Sequence, residues 1–186
     1  LKKHKDYIVG LVNQLDSRID EKGNQDFSPR LFLDWPSSPN PKGVEAGLRG
    51  LSAWALKDAE KLCIYLGETK SAETCYAAIK RLSRMTLPHN GLKQAAALMS
   101  ISGQMEPRKA TDEVIAVGGP KGFSTFYGYY MLQALALSGD YELAMDIINK
   151  YWGGMLDMGA TTFWEDFDLD WTVNAAKLDE ITHTCK

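Results

Sequence analysis

Apolar residues recur at three- and four-residue steps along most of this chain, a spacing that restricts it to packed amphipathic helices. Tyr7, Ile8, Leu11, Val12, Leu15 and Ile19 form one such stripe. Val44, Leu48, Leu51, Ala55, Leu62 and Leu66 form a second, with Trp54 and Cys63 beside them. Ala72, Cys75, Tyr76, Ile79, Leu82 and Met85 form a third, and Leu143, Ala144, Ile147, Ile148, Tyr151, Trp152 and Met155 the last. Further helices are expected over 92–102 and 125–137. The second of these is apolar nearly all round, which predicts fuller burial.

The punctuation between stripes agrees with this. Gly67 can close one helix in the left-handed conformation. Pro88-His89-Asn90-Gly91 reads as a turn, and Ser138-Gly139-Asp140 ends one helix and offers Asp140 as the cap of the next. Short connections predict antiparallel αα-hairpins: six helices in three hairpins, plus a seventh at the N-terminus. Two stretches carry too many Gly and Pro for helix, 20–43 and 103–124. Within them Leu31–Trp35 is expected as a short strand and 108–116 as one helical turn or more. Long ordered loops on a helical scaffold often carry function.

Composition narrows the function classes. The chain has 186 residues, 45% of them hydrophobic, enough for one core and one domain or a large piece of one. The net charge is −3 and no basic stripe is present, so the electrostatic footprint of a nucleic-acid binder is missing. No apolar run reaches about 18 residues, so no membrane span is expected. Cys63, Cys75 and Cys185 are too few and too scattered for a disulfide framework or a zinc site, and they read as buried small hydrophobes. Neither a metal nor an organic cofactor is expected. His4 and His89 stand alone in polar surroundings, Lys57, Asp58, Glu60 and Lys61 form a solvated helical face, and Gly118-Gly119-Pro120-Lys121-Gly122 fits no phosphate-binding pattern. The chain opens on Leu1 rather than Met, as a piece of a longer protein would, so its lack of a leader assigns no compartment.

The stretch from Gly159 to Trp171 is the most informative. It holds four acids, two Trp and two Phe with no helical period. A glutamate among aromatic rings is partly desolvated, which suits it to proton transfer. Rings with interleaved carboxylates also suit a sugar, whose C–H faces stack and whose hydroxyls donate. An acidic surface turn anchored by Trp satisfies the same spacing.

Gly159-Ala160-Thr161-Thr162-Phe163-Trp164-Glu165 resembles the Gly-Ala-Thr-Thr-x-Trp-Glu signature of the bacterial α-L-rhamnosidases, glycoside hydrolase family 78. Gly122-Phe123-Ser124-Thr125-Phe126-Tyr127-Gly128-Tyr129-Tyr130, followed by Leu132-Gln133-Ala134-Leu135 and Gly139-Asp140, is similar to a helical segment of that family. Phe32-Leu33-Asp34-Trp35 resembles its Asp-Trp element. The resemblance implies that residues 1–186 are a fragment of one catalytic domain. That domain would be all-α, with these hairpins as about half of an (α/α)6 toroid. It implies an inverting hydrolysis of terminal α-L-rhamnosyl groups, with two carboxyl groups about 6.5–9.5 Å apart. Glu165 matches the general base, Trp164 would shape the pocket, and Asp34, Trp35, Phe126 and Tyr127 would bind the sugar. Such an enzyme would be periplasmic or secreted.

The departures are specific. The family's acidic motif, which supplies the general acid, has no match between Leu1 and Lys186. His183, in Thr-His-Thr, does not match the family's Asn-His-Tyr-type segment. Asp166 and Phe167 stand where Arg and Trp are common. The fragment alone is therefore expected to be inactive, and its uncovered helix faces could dimerise. Two other readings remain open on the residues: a helical module that binds a glycan or a protein without cleaving it, and another (α/α)6 glycosidase or polysaccharide lyase.

Overall fold

The computed structural model describes residues 1–173. Seven α-helices occupy them: α1 Lys5–Ser17, α2 Pro41–Leu66, α3 Thr69–Leu82, α4 Lys93–Ile101, α5 Pro107–Ala110, α6 Gly128–Leu137 and α7 Tyr141–Asp157. Short 3-10 turns precede α1 at Lys2–His4 and follow α7 at Leu169–Thr172. His183 and Cys185 lie outside the described residues.

Local chemistry explains the boundaries. Asn40 accepts a bond from the Gly43 amide at 3.1 Å and Pro41 occupies the first turn of α2, where a missing N–H costs nothing. Gly67, at φ 76°, ends that helix. Its amide reaches the Ile64 carbonyl at 3.1 Å and the Glu68 amide reaches that of Cys63 at 2.8 Å, as a Schellman closure requires. Glu106 accepts from the amides of Arg108 and Lys109, opening α5, which continues into a π-turn over Thr111–Ile115.

Helices α2, α4 and α6 pack in series, α2 on α4 and α4 on α6. Helix α3 lies on α1 and α2, α5 on α4 and α6, and α7 on α6. The α2–α4 crossing is close because small residues face each other. A Cβ added at Gly50 would stand 3.0 Å from the backbone of Leu98 and Met99. One core joins Val12, Leu56, Cys63, Cys75 and Leu82; another joins Ile115, Phe123, Met131, Leu135, Ile147, Tyr151 and Phe167. Cys63 and Cys75 are free and buried, and burial raises both thiols, Cys75 to about 12.

Four expectations are corrected. Residues 31–35 form no strand, and the isolated Ile19–Gln25 bridge is the sole β pairing among the described residues. Leu33 is instead buried against Gly47 of α2, and Asp34 and Ser37 bond reciprocally into a turn. Helix α6 starts at Gly128 rather than 125, because Ser124 faces Asp34 and the chain turns through Tyr127. That helix is not fully buried: Tyr129 is 64% exposed and Leu137 53%. Asp140 takes the N-cap position of α7 without capping it, and its carboxylate lies 3.9 Å from Arg108.

Candidate active site

Three segments far apart in sequence meet at one place. The first is the turn after Leu33. Asp34 Oδ1 accepts from the Ser37 amide at 3.0 Å. Its Oδ2 accepts from the Ser124 hydroxyl at 2.5 Å and from the Gln94 side-chain amide at 3.1 Å. Ser124 and Gln94 are both buried, Gln94 on α4 and Ser124 just before α6. A half-buried carboxylate with three donors is a strong local tie, because charge-assisted bonds are about twice as strong as neutral ones. Asp34 therefore joins the turn to α4 and to the second segment, Ser124–Tyr127, which leads into α6.

The third segment leaves α7. Gly159, at φ 88°, turns the chain out of the helix, and the Ala160 amide returns to the Met155 carbonyl at 3.0 Å. Phe167 then plugs back into the core at 2% exposure, ring against ring with Tyr151, Trp164 and Trp171. The buried Tyr151 hydroxyl donates to the Phe167 carbonyl at 2.7 Å. Burial holds that phenol protonated, well above its ordinary range, with the Asp166 and Asp168 charges adding to the effect. Tyr151→Phe is expected to cost about 1–1.5 kcal/mol in chemical denaturation. It should also raise amide exchange in 160–168 more than elsewhere; uniform exchange would show that the bond anchors nothing.

Between these anchors, Glu165 is exposed, and its Oε1 accepts from the Trp35 indole N–H at 3.2 Å. Phe32, Leu33, Asp34, Trp35, Ser124, Phe126, Tyr127 and Glu165 line one cavity of about 200 Å³. A wider apolar groove of about 870 Å³, walled by Phe126, Tyr129, Trp152, Phe163 and Trp164, opens from the same Glu165. Five of the six residues named from sequence thus line the first cavity, and the sixth, Trp164, lines the second. Comparison of the chain with protein-family models, with curated proteins and with solved structures found no match. The functional reading therefore rests on the sequence resemblance together with this geometry.

Electrostatics sort the polar groups by task. Burial, with the Asp34 and Tyr130 charges behind it, pushes the Tyr127 phenol up to about 12, so it stays a donor in the small cavity at neutral pH. Asp166 is half-buried in a separate cavity of about 310 Å³ with Tyr151, Phe167 and Trp171. Burial raises its carboxyl against the opposing Phe167 amide, and the like charges of Asp34, Asp168 and Glu165 raise it further. Among the described residues no group of three or more His, Cys, Asp or Glu side chains is placed to hold a metal ion, and no helix is long and apolar enough to cross a membrane.

Ser124, Gln94 and Asp166 were not singled out by sequence as site residues. A Gln inside Lys93-Gln94-Ala95-Ala96-Ala97 is itself a weak signal, since a lone amide on a small-residue face needs a buried partner. Lys93, next to it, is 7% exposed. It donates to the Gly119 carbonyl at 2.6 Å and lies 5.2 Å from the Phe123 ring. Burial lowers its ammonium to about 8 from 10.5. Folding thus disfavours the charged form, so stability should rise as pH climbs from about 8 to 10.5, where the unfolded chain holds the proton and the folded chain has released it. Lys93→Met is expected to flatten that rise in urea titrations across the window; an unchanged slope would mean the ammonium is solvated.

Proposed function

We propose that this chain is the base-bearing part of an inverting glycosidase resembling the α-L-rhamnosidases, with Glu165 as the general base. One observation carries the reading: residues from three separate sequence blocks, with Trp35 and Glu165 130 positions apart, line a single cavity around Glu165. Chance placement of an acidic surface turn does not predict that meeting.

The serial packing of α2, α4 and α6, with the other helices flanking them, supports hairpins arranged as part of an (α/α)6 toroid. In the reaction, Glu165 Oε2 takes a proton from water as the water oxygen bonds to the anomeric carbon. The glycosidic C–O bond breaks, and its oxygen takes a proton from a carboxylic acid on the opposite face of the ring. That acid belongs to a part of the toroid outside this chain. Tyr127 donates to a sugar hydroxyl, and Phe126 and Trp164 supply apolar walls where ring C–H groups meet them. No cofactor takes part.

The apolar groove favours one second reading, a helical module that binds a glycan or a partner protein without cleavage. Exposed Tyr129, Met145, Leu156 and Phe163 would serve such contacts, or dimerisation of the isolated chain. The two readings part in one experiment. The longer polypeptide bearing this chain should hydrolyse an aryl α-L-rhamnoside and release first the β-anomer of L-rhamnose, read by proton NMR. The isolated 186 residues should bind L-rhamnose without turnover. Binding of glycan with no hydrolysis by the longer polypeptide would favour the module, and release of the α-anomer would refute inversion.

A further inference from the structure

We infer that Trp35 acts on Glu165 rather than on the sugar: it is the positioning residue that presents the base. The inference rests on the reading of Glu165 as general base. An indole carries one polar function, an N–H that only donates, and here it is spent on Glu165 Oε1 at 3.2 Å. That contact fixes the carboxylate by one oxygen and leaves Oε2 to receive a proton. Without it, an exposed glutamate on an irregular segment would sample many rotamers, and few would aim at one water.

The donor is itself held. Phe32 meets the indole edge-on with ring centroids 5.0 Å apart, and the Arg30 guanidinium covers the Phe32 ring at 4.5 Å. The Trp35 carbonyl accepts from the Ser38 hydroxyl at 2.7 Å and from its amide at 3.2 Å. The preceding residue, Asp34, is tied to α4 and to Ser124. Two rigid anchors therefore flank the contact: the Asp34 tie on one side and the Phe167 plug on the other. Asp34 and Tyr127 face Glu165 across the cavity, and Asp166 adjoins it; the carboxylates repel Glu165 and so cannot hold it in place. Among the described residues, the indole N–H is the group that does.

A sugar platform and a positioning residue respond differently to Trp35→Phe, which keeps an aromatic face and deletes the N–H. Positioning predicts that kcat of the longer polypeptide on an aryl α-L-rhamnoside falls about ten- to a hundred-fold with KM within about twofold. A platform predicts a raised KM with kcat kept, and that result would overturn the inference. A second measurement needs no turnover. In the 186-residue chain the Trp35 indole 1H–15N signal, assigned by its loss in Trp35→Phe, should shift in Glu165→Gln while the other four indole signals shift less. An unmoved Trp35 signal would also overturn the inference. If the longer polypeptide hydrolyses no rhamnoside, the reading of function falls, and the indole signal still decides the Trp35–Glu165 contact separately.

Discussion

Glu165→Gln is expected to lower kcat on an aryl α-L-rhamnoside by about 10²- to 10⁴-fold while KM changes little, the range that general-base catalysis contributes. The substitution is nearly isosteric. Its amide oxygen can still accept from the Trp35 indole, so the segment from Gly159 to Phe167 should keep its path. Only basicity is lost. The measurement is steady-state kinetics on the longer polypeptide, with circular dichroism and melting as controls for fold. Wild-type turnover in the variant would remove Glu165 from the chemistry. A loss of turnover accompanied by a lowered melting temperature would instead place Glu165 in the structural framework, which its exposure argues against.

The largest stability effect is expected at Arg49, a residue remote from Glu165. Its guanidinium is 3% exposed in α2 and donates to three backbone carbonyls: Gly23 at 2.6 Å, Leu82 at 3.0 Å and Met85 at 2.9 Å. The Leu82 carbonyl is the last of α3, where a cation complements the helix dipole. Burial lowers the guanidinium below its ordinary range, with the Glu45 and Asp20 charges opposing that shift, yet arginine remains charged. Arg49→Ala strips three acceptors of their partner and leaves a cavity, so about 3–5 kcal/mol of unfolding free energy should be lost in urea titrations. Arg49→Lys should recover only part, because an ammonium does not reproduce the fork. A loss below about 1 kcal/mol would mean that water replaces the guanidinium.

The helices were legible because burial of one face leaves a 3.6-residue period, and Tyr151, Met155, Cys63 and Cys75 all lie where that period puts them. The breaks at Gly67 and Asn90-Gly91 were legible because left-handed backbone selects Gly and Asn, here at φ 76°, 52° and 73°. What failed depended on tertiary partners. Leu31–Trp35 has strand composition but no strand among the described residues to pair with. Asp140 has cap chemistry but a nearby Arg108 competes for its carboxylate. Tyr129 and Leu137 belong to an apolar helix whose outer side has no neighbour among the described residues.

The site divides in the same way. Glu165, Trp35 and Tyr127 were found through motif resemblance, which reports side-chain identity at fixed spacing. Ser124 and Gln94 were not found, because their importance comes from sharing the half-buried carboxylate of Asp34, 60 to 90 positions away. Local composition does not encode such a partnership; only the α4–α6 packing reveals it.

The 130-residue separation between Trp35 and Glu165 also has a consequence for synthesis. A ribosome delivers the Asp34–Trp35 turn early, and the turn must wait while α2 through α7 emerge. Loop closure over so long a span is slow, and contacts of high sequence separation form late. The α2–α3 pair can assemble from local contacts long before that. A nascent or truncated chain would therefore carry native helices without the cavity around Glu165, so helical content is a poor reporter of how much of this protein has assembled that cavity.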